Sequence, residues 1–408
     1  MISLSPLNER RLKNFRKNRR AVWSLRIFMT LFIMSLFAEF LANDKPILVS
    51  YRGDIYTPVT QFYSEATFGG DFKTEATYRD PEVQCLIRSG GLEICFDNPE
   101  KYLQAISDGD LNSETEGFYK GWMIWPVVPY SYDTPNDLGR SAPSPPDSSH
   151  WLGTDDTTRD VLARVIYGFR LSILFALVVT VFASIIGIIA GAIQGYFGGW
   201  LDLLFQRFLE VFSALPSLYV IIILTAILGR SFWLLAILSI VFGWPALTGL
   251  IRAEFFRARN FEYVRAAEAL GVSNWTIMMR HILPNAMVAT LTFLPFIVTG
   301  AISTLAGLDF LGFGLPSSSP SLGELTQQAK LNLQSPHLGF TAFLVFTIML
   351  SLLVFIFEGI RDAFDPRKVF QCRFLLLKTY LYNLLRMDKR LRPLTRCLYR
   401  LALAKLLP

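Results

Sequence analysis

Residues 171–192 read LSILFALVVTVFASIIGIIAGA, twenty-two positions without one charged side chain. As a helix the run is about 33 Å long at 1.5 Å per residue, enough to cross a hydrocarbon core roughly 30 Å thick. Buried helices of soluble proteins rarely stay uncharged for so long. SFWLLAILSIVFGW at 231–244 repeats the signal, and the whole 408-residue chain follows it, 52% hydrophobic and only 18% charged. Its mean hydropathy is +0.38, whereas a soluble domain carries about a quarter charged residues. The chain reads as an all-α integral membrane protein.

Six spans are expected, near 22–42, 171–192, 209–229, 232–250, 287–307 and 340–360. Pro216, Pro245 and Pro295 fall inside them, and each predicts a kink whose freed carbonyl finds a partner on a neighbouring helix. The first twenty residues hold Arg10, Arg11, Lys13, Arg16, Lys17, Arg19 and Arg20 against one acid, Glu9, which keeps this end in the cytoplasm. A cleaved signal peptide is the competing reading, but LFAEFLANDKP offers no A-x-A-like site. With six spans both termini are cytoplasmic, and so is the loop 252–286 with Arg252, Arg257, Arg259, Arg265 and Arg280.

Charge divides by region. Residues 43–168 hold 20 acids and 10 bases, while the remainder is net +16 and the whole chain +6. The pI near 9.1 therefore reflects cytoplasmic loops beside anionic lipid and a cytoplasmic partner, not nucleic-acid binding. Residues 43–168 read as an extracytoplasmic insert, rich in turn formers and aromatics. Within it CLIRSGGLEIC places Cys85 and Cys95 symmetrically about Gly90, so a hairpin turning at 89–91 would set them opposite each other for a disulfide in an oxidising compartment. Cys372 and Cys397 lie on the cytoplasmic side and are expected reduced.

Catalytic signatures are missing from the sequence. There is no G-x-x-x-x-G-K-[ST], H-E-x-x-H or G-x-S-x-G, and His150, His281 and His337 are too scattered for a metal-ligand set. The chain is expected to be neither an enzyme nor an ATP-holding subunit. Asp155, Asp156 and Asp160 in HWLGTDDTTRDVLARVIYG suggest a capped amphipathic helix over 155–168 rather than a metal site. Thr154 or Asp155 would be its N-cap, and Val161, Leu162, Val165 and Ile166 would share a face.

EYVRAAEALGVSNWTIMMRHILPN, at 262–285, is polar and charged between two apolar runs. It predicts a short helix over 260–270, Gly271 as its C′ residue, and a second helix capped by Ser273 that runs into the fifth span. Phe255, Phe256, Phe261, Tyr263, Val264, Ala266, Ala267, Ala269 and Leu270 give this elbow more apolar surface than a loop in water would carry, implying a protein partner.

RAAEALGVSNWTIMMRHILPN resembles the coupling motif of ATP-binding-cassette importer permeases, E-A-A-x3-G-x9-I-x-L-P. Arg265-Ala266-Ala267 stands at the E-A-A position, Gly271 at the glycine, His281 at the isoleucine and Leu283-Pro284 at the end. Arg for Glu and His for Ile are departures that point to the dipeptide, oligopeptide and nickel branch. HWLGTDDTTRDVLARVIYGFRLSI, QGYFGGWLDLLFQRFLEVFSALPSL and LAGLDFLGFGLPSSSPSLGELTQQA are similar to the C-subunit of that branch. The start of the insert resembles the inner-membrane subunit of importers for oligopeptides and microcin C-type peptide–nucleotides.

The resemblance implies a type I importer permease with a five-helix core over 169–362, preceded by the basic tail over 1–21, the first span over 22–42 and the insert over 43–168. The tail over 363–408 departs from the family, and its residues 374–390, apolar on one face and basic on the other, read as a helix lying in the cytoplasmic interface. The resemblance implies no cofactor on this chain, with ATP and magnesium on a partner ATPase, and as further partners a second permease, a periplasmic peptide-binding protein and membrane lipid. Arg265, Ala266, Ala267, Glu268, Ala269, Leu270, Gly271, Leu283 and Pro284 would couple to the ATPase. Gly153, Thr154, Asp155, Arg159 and Asp160 would lie near the substrate path. The alternative is an ion-coupled carrier without an ATPase, but Glu39 and Glu358 sit at span ends, Glu210 at a cytoplasmic mouth, and no internal repeat is apparent.

Overall fold

The computed structural model describes residues 6–108, 119–136, 139 and 141–364. The basic amphipathic tail expected over 363–408, with Cys372 and Cys397, lies outside them from residue 365 onward. Helix α1 (Pro6–Lys17) meets α2 (Arg19–Leu36) at Asn18, whose side chain accepts the Ala21 N–H at 3.3 Å as an N-cap. α2 stops at Phe37 and resumes as α3 (Ala38–Leu41). The insert follows, with strands β1 (Leu48–Tyr51) and β2 (Asp54–Tyr56), helices α4 (Pro81–Ser89) and α5 (Pro99–Asp108), and strand β3 (Trp122–Ile124).

The bundle then runs through α6 (Val161–Phe197), α7 (Gly199–Ala214), α8 (Ser217–Leu228), α9 (Phe232–Gly243), α10 (Pro245–Ala258) and α11 (Glu262–Ala269). It closes with α12 (Asn274–Thr276), α13 (Leu283–Phe310), α14 (Leu322–Leu331) and α15 (Pro336–Phe364). Among the described residues four helical stretches are long and apolar enough to cross a bilayer: Val161–Phe197, Phe232–Ala258, Asn274–Phe310 and Pro336–Phe364. α7 and α8 make a fifth if taken as one span bent by 67°. α2 falls short because Arg19, Arg20 and Arg26 interrupt its eighteen residues, yet it packs along α15.

The three prolines differ in effect. Pro216 occupies the α7–α8 break, Pro245 opens α10 in a first-turn position that needs no N–H, and Pro295 lies inside an unbroken α13. Asp160, not Thr154 or Asp155, caps the helix of the 155–168 segment, accepting the Ala163 N–H at 2.8 Å. No separate amphipathic helix ends the insert either. The helix begins at Val161 and continues unbroken through position 168 as α6, because the residues beyond are as apolar as those before.

α6 is the central strut. Gly187, Gly191 and Gly195 recur every four residues on the face that meets α10, where the backbone of Trp244, Thr248 and Arg252 lies against them. A small-residue stripe of this kind lets two helix backbones approach without intervening side chains. The larger apolar core gathers Phe175, Leu235, Ile302, Leu305, Leu325, Leu338 and Met349 from α6, α9, α13, α14 and α15. A second joins Ile251 and Phe255 of α10 to Val264 of α11, Ile277 and Ile282.

The insert folds around its own centre. Its sheet has the order β2-β1-β3, all antiparallel, and buries Val49 and Tyr51 against Phe68, whose ring meets Tyr51, Tyr56 and Tyr78 edge-on. A disulfide joins Cys85 to Cys95 with Cα atoms 5.6 Å apart, but no hairpin brings them together. Cys85 lies in α4, which Asp80 caps and Pro81 opens; Gly90 and Gly91, both at positive φ, stop it and turn the chain into the 3₁₀ turn Glu93–Phe96 that holds Cys95.

Candidate functional site

The elbow is built from a helix stop, a cap and a widened turn. α11 ends in a Schellman motif: the Val272 N–H bonds the Ala267 carbonyl at 3.1 Å, and the Gly271 N–H bonds Glu268 at 2.9 Å. Gly271 sits at φ +75°, the left-handed conformation that an L side chain resists. Ser273 accepts the Thr276 N–H and starts α12. Residues Ile277–Ile282 then form a π-helical turn, with the Leu283 N–H reaching five residues back to Met278. Pro284 has no N–H to give to Arg280, so the ladder widens just before it. Asn274–Phe310 is consequently one 37-residue helix, joining the elbow rigidly to the bundle.

Burial sorts the predicted residues into two faces. Val264 and Ala267 of α11 are buried against α6 and α10, and Phe255 of α10 is buried in the same cluster, which corrects the expectation that they form exposed surface. Arg265, Ala266, Glu268, Ala269 and Gly271 are exposed, as is Leu270 at 83%, while Leu283 is half-buried and Pro284 exposed. Phe256, Phe261, Tyr263, Trp275 and Met279 are exposed as well. Trp275 and Met279 escaped the sequence reading because they belong to the second limb, which only the fold places beside the first.

One further tie holds the elbow, and a second braces the helix that leads into it. The hydroxyl of Tyr196, the penultimate residue of α6, donates to Asn274 Oδ1 at 3.0 Å and lies 3.3 Å from Glu268 Oε1, touching both limbs. Arg252 clamps Asp202 of α7 with Nε and Nη2 on the two carboxylate oxygens, at 2.5 and 2.6 Å. The GY of QGYFGG was a visible signal for Tyr196; nothing local announced the Asp202–Arg252 pair.

At the opposite end of α6 lies the second predicted group. Gly153 takes φ +78°, and Thr154 is fully buried, its hydroxyl accepting the Ser144 N–H and its carbonyl facing His337 Nε2 at 3.2 Å. Asp155 receives the Arg159 N–H and Nε, each at 2.8 Å, and Arg164 Nη1 at 2.5 Å. Arg164, wholly buried, reaches Glu324 Oε2 at 2.6 Å with Nη2. Asp160 meets the buried His150 Nδ1 at 2.8 Å. These residues form an ionic lock between the start of α6 and α14. Burial alone would raise the Asp155 pKa, but the Arg164 and Arg159 guanidiniums and the Arg159 N–H hold it below the ordinary carboxylate range. Burial pushes Glu324 upward despite Arg164. Sequence reading missed Arg164 and Glu324, since a buried pair 160 residues apart has no local signature.

Comparison with known proteins matches residues 183–369 to the model of binding-protein-dependent transport system inner membrane components. Residues 6–64 match the N-terminal transmembrane domain of oligopeptide transport permease C. The peptidoglycan transport system permease protein YejE of Agrobacterium fabrum is 50% identical over 392 residues, covering 90% of this chain and 95% of the relative. The inner membrane ABC transporter permease protein YejE of Escherichia coli is 49% identical over 369 residues, covering 90% and 99%. The oligopeptide transport system permease protein OppC of Bacillus subtilis is 34% identical over 240 residues, covering 58% and 78%. With its helical bundle, its elbow and half-identity along nine-tenths of its length, the chain belongs to the YejE-type permeases, inner-membrane subunits of ATP-binding-cassette importers.

Proposed function

We propose that the chain is one of two permease subunits of an importer for oligopeptides and peptide-like compounds, microcin C-type peptide–nucleotides among them. α2 with α3, α6, the bent α7–α8 pair, α9–α10, α12–α13 and α15 serve as six spans, with both termini and the elbow cytoplasmic and the insert in the periplasm. A separate ATPase carries ATP and magnesium and seats the exposed face of α11, Leu270, Gly271 and α12. A periplasmic binding protein delivers peptide to the other end. Closure of the ATPase pushes the elbow, and the unbroken Asn274–Phe310 helix passes that movement to the bundle.

The exposed apolar elbow carries this reading. Leu270, Trp275, Phe261, Tyr263 and Met279 would be costly to leave in water, while a fixed turn and a continuous helix make them a lever. The names of the relatives, a peptidoglycan, an ABC and an oligopeptide transport permease, support the substrate class. Affinity purification from membranes in mild detergent tests it, wild type beside Gly271→Asp. A P-loop ATPase and a second permease should accompany the wild type, and the ATPase should be lost from the variant. If no ATPase accompanies the wild type, the ion-coupled carrier replaces this reading.

A further inference from the structure

A cavity of about 770 Å³ lies at the end of the bundle remote from the elbow, bordered by the Arg164 lock at Ser319, whose carbonyl receives Arg164 Nη2 at 3.5 Å. It opens where α2 and α6 meet the start of α9, residues 132–133 and the loop at 318–320. One wall is apolar, with Leu36, Leu174 and Phe232; the other presents Tyr132, Asp133 and Arg170. Leu36 and Leu174 are exposed, as expected of side chains that face lipid tails. Arg170 stands nine residues into α6, at the boundary of the apolar run. Its Nη1 bonds Glu39 Oε1 at 2.9 Å and Oε2 at 3.1 Å, and its guanidinium lies over the Tyr167 ring, which pairs with Tyr132. An arginine at the end of a span stands at the level of the lipid headgroups.

Charge narrows the occupant. Arg170 engages Glu39 through Nη1, while Asp133 accepts the Ser131 hydroxyl at 2.7 Å, so an anion alone meets two carboxylates and a cation alone leaves the rest of the guanidinium without an acceptor. A zwitterion sets its cation at Asp133 and its anion at the remaining guanidinium N–H groups. The apolar wall below requires that it carry tails. We propose that this cavity binds the headgroup of an ethanolamine phospholipid of the outer leaflet, with its phosphate toward Arg170 and Tyr132, its ammonium toward Asp133, and its acyl chains along Leu36 and Leu174. A structural lipid here would seal the joint between α2 and α6. The proposal rests on the orientation given above, in which this end is periplasmic.

Native mass spectrometry of the full chain, purified with its partners and exposed to equal phosphatidylethanolamine and phosphatidylglycerol, tests it. The wild type should retain the ethanolamine lipid about tenfold over the glycerol lipid, the worth of one charge-assisted hydrogen bond. Asp133→Asn, an exposed position that leaves folding intact, should erase that preference, and Arg170→Gln should lose both lipids. Equal retention of both lipids by the wild type, or an unchanged preference in Asp133→Asn, overturns the proposal, as does a peptide in place of lipid. Orientation is read separately, from labelling of Ser318→Cys by a membrane-impermeant thiol reagent on intact cells, so that its failure is not mistaken for failure of lipid binding.

Discussion

Gly191 of α6 lies against the backbone of Thr248 in α10: a methyl group on the glycine would stand 2.6 Å from the Thr248 carbonyl oxygen. The same holds at Gly187 and Gly195, at 2.8 Å from the Trp244 carbonyl and 2.5 Å from that of Arg252. The opposing atoms are backbone and cannot swing aside. Gly191→Ala and Gly195→Ala should therefore each cost about 1–3 kcal/mol, the usual price of overpacking, with Gly187→Ala the mildest. Gly249→Ala, where a side chain meets open space, should be neutral or stabilising, since Ala is the better helix former by up to about 1 kcal/mol. Thermal unfolding in detergent ranks the four, and equal losses at 191 and 249 would refute the close-approach account.

Tyr196 touches both limbs of the elbow through one hydroxyl. Tyr196→Phe keeps the ring in its core and should cost only about 1 kcal/mol of stability. Its effect belongs to coupling: with the limbs untied, ATP hydrolysis by the assembled transporter should continue while peptide taken up per ATP falls several-fold. A proportional fall in both rates would make Tyr196 a structural residue only.

Cys85 and Cys95 hold the end of α4 to the turn that follows it. Closing a loop this short contributes about 2–3 kcal/mol in the chain-entropy account, and the insert's core is separate from that of the bundle. The double substitution to serine should speed proteolysis within the insert and leave the bundle's unfolding temperature unchanged. Loss of the whole protein from the membrane would show instead that the two fold as one unit.

How much of this was written in the sequence depends on how local each signal is. Charge-free runs and Pro216 are local, and so is the elbow: Gly271 and Ser273 stop and restart a helix by their own conformational and hydrogen-bonding chemistry. α4 was also legible in principle, since Asp80-Pro81 and Gly90 are start and stop signals, but the symmetry of the cysteines favoured a hairpin. Thr154, Asp155 and Asp160 are all capping types. Which of them caps was decided by Arg164, whose buried charge claims Asp155 for itself. The faces of the elbow were likewise undecidable locally, because Phe255 and Val264 are buried by α6, some sixty residues earlier.

Asp155 and Glu324 share Arg164 but titrate in opposite senses. The folded pKa of Asp155 is depressed, so its stabilisation is complete above the ordinary aspartate value and is lost as pH falls through the lower folded one. That of Glu324 is raised, so the folded state holds its proton more tightly, and stability falls as pH rises from the ordinary glutamate value through the folded one. Acidification from neutrality should therefore first stabilise the wild type relative to Glu324→Gln, and only near or below the ordinary aspartate range should the lock fail. Asp155→Asn should cost about 3–5 kcal/mol at neutral pH, because it leaves Arg164 buried with a weakened partner. Unfolding temperatures of the wild type and both variants across acidic to neutral pH test this. A wild type and Glu324→Gln that respond identically would show that Glu324 is an ordinary ionised partner of Arg164.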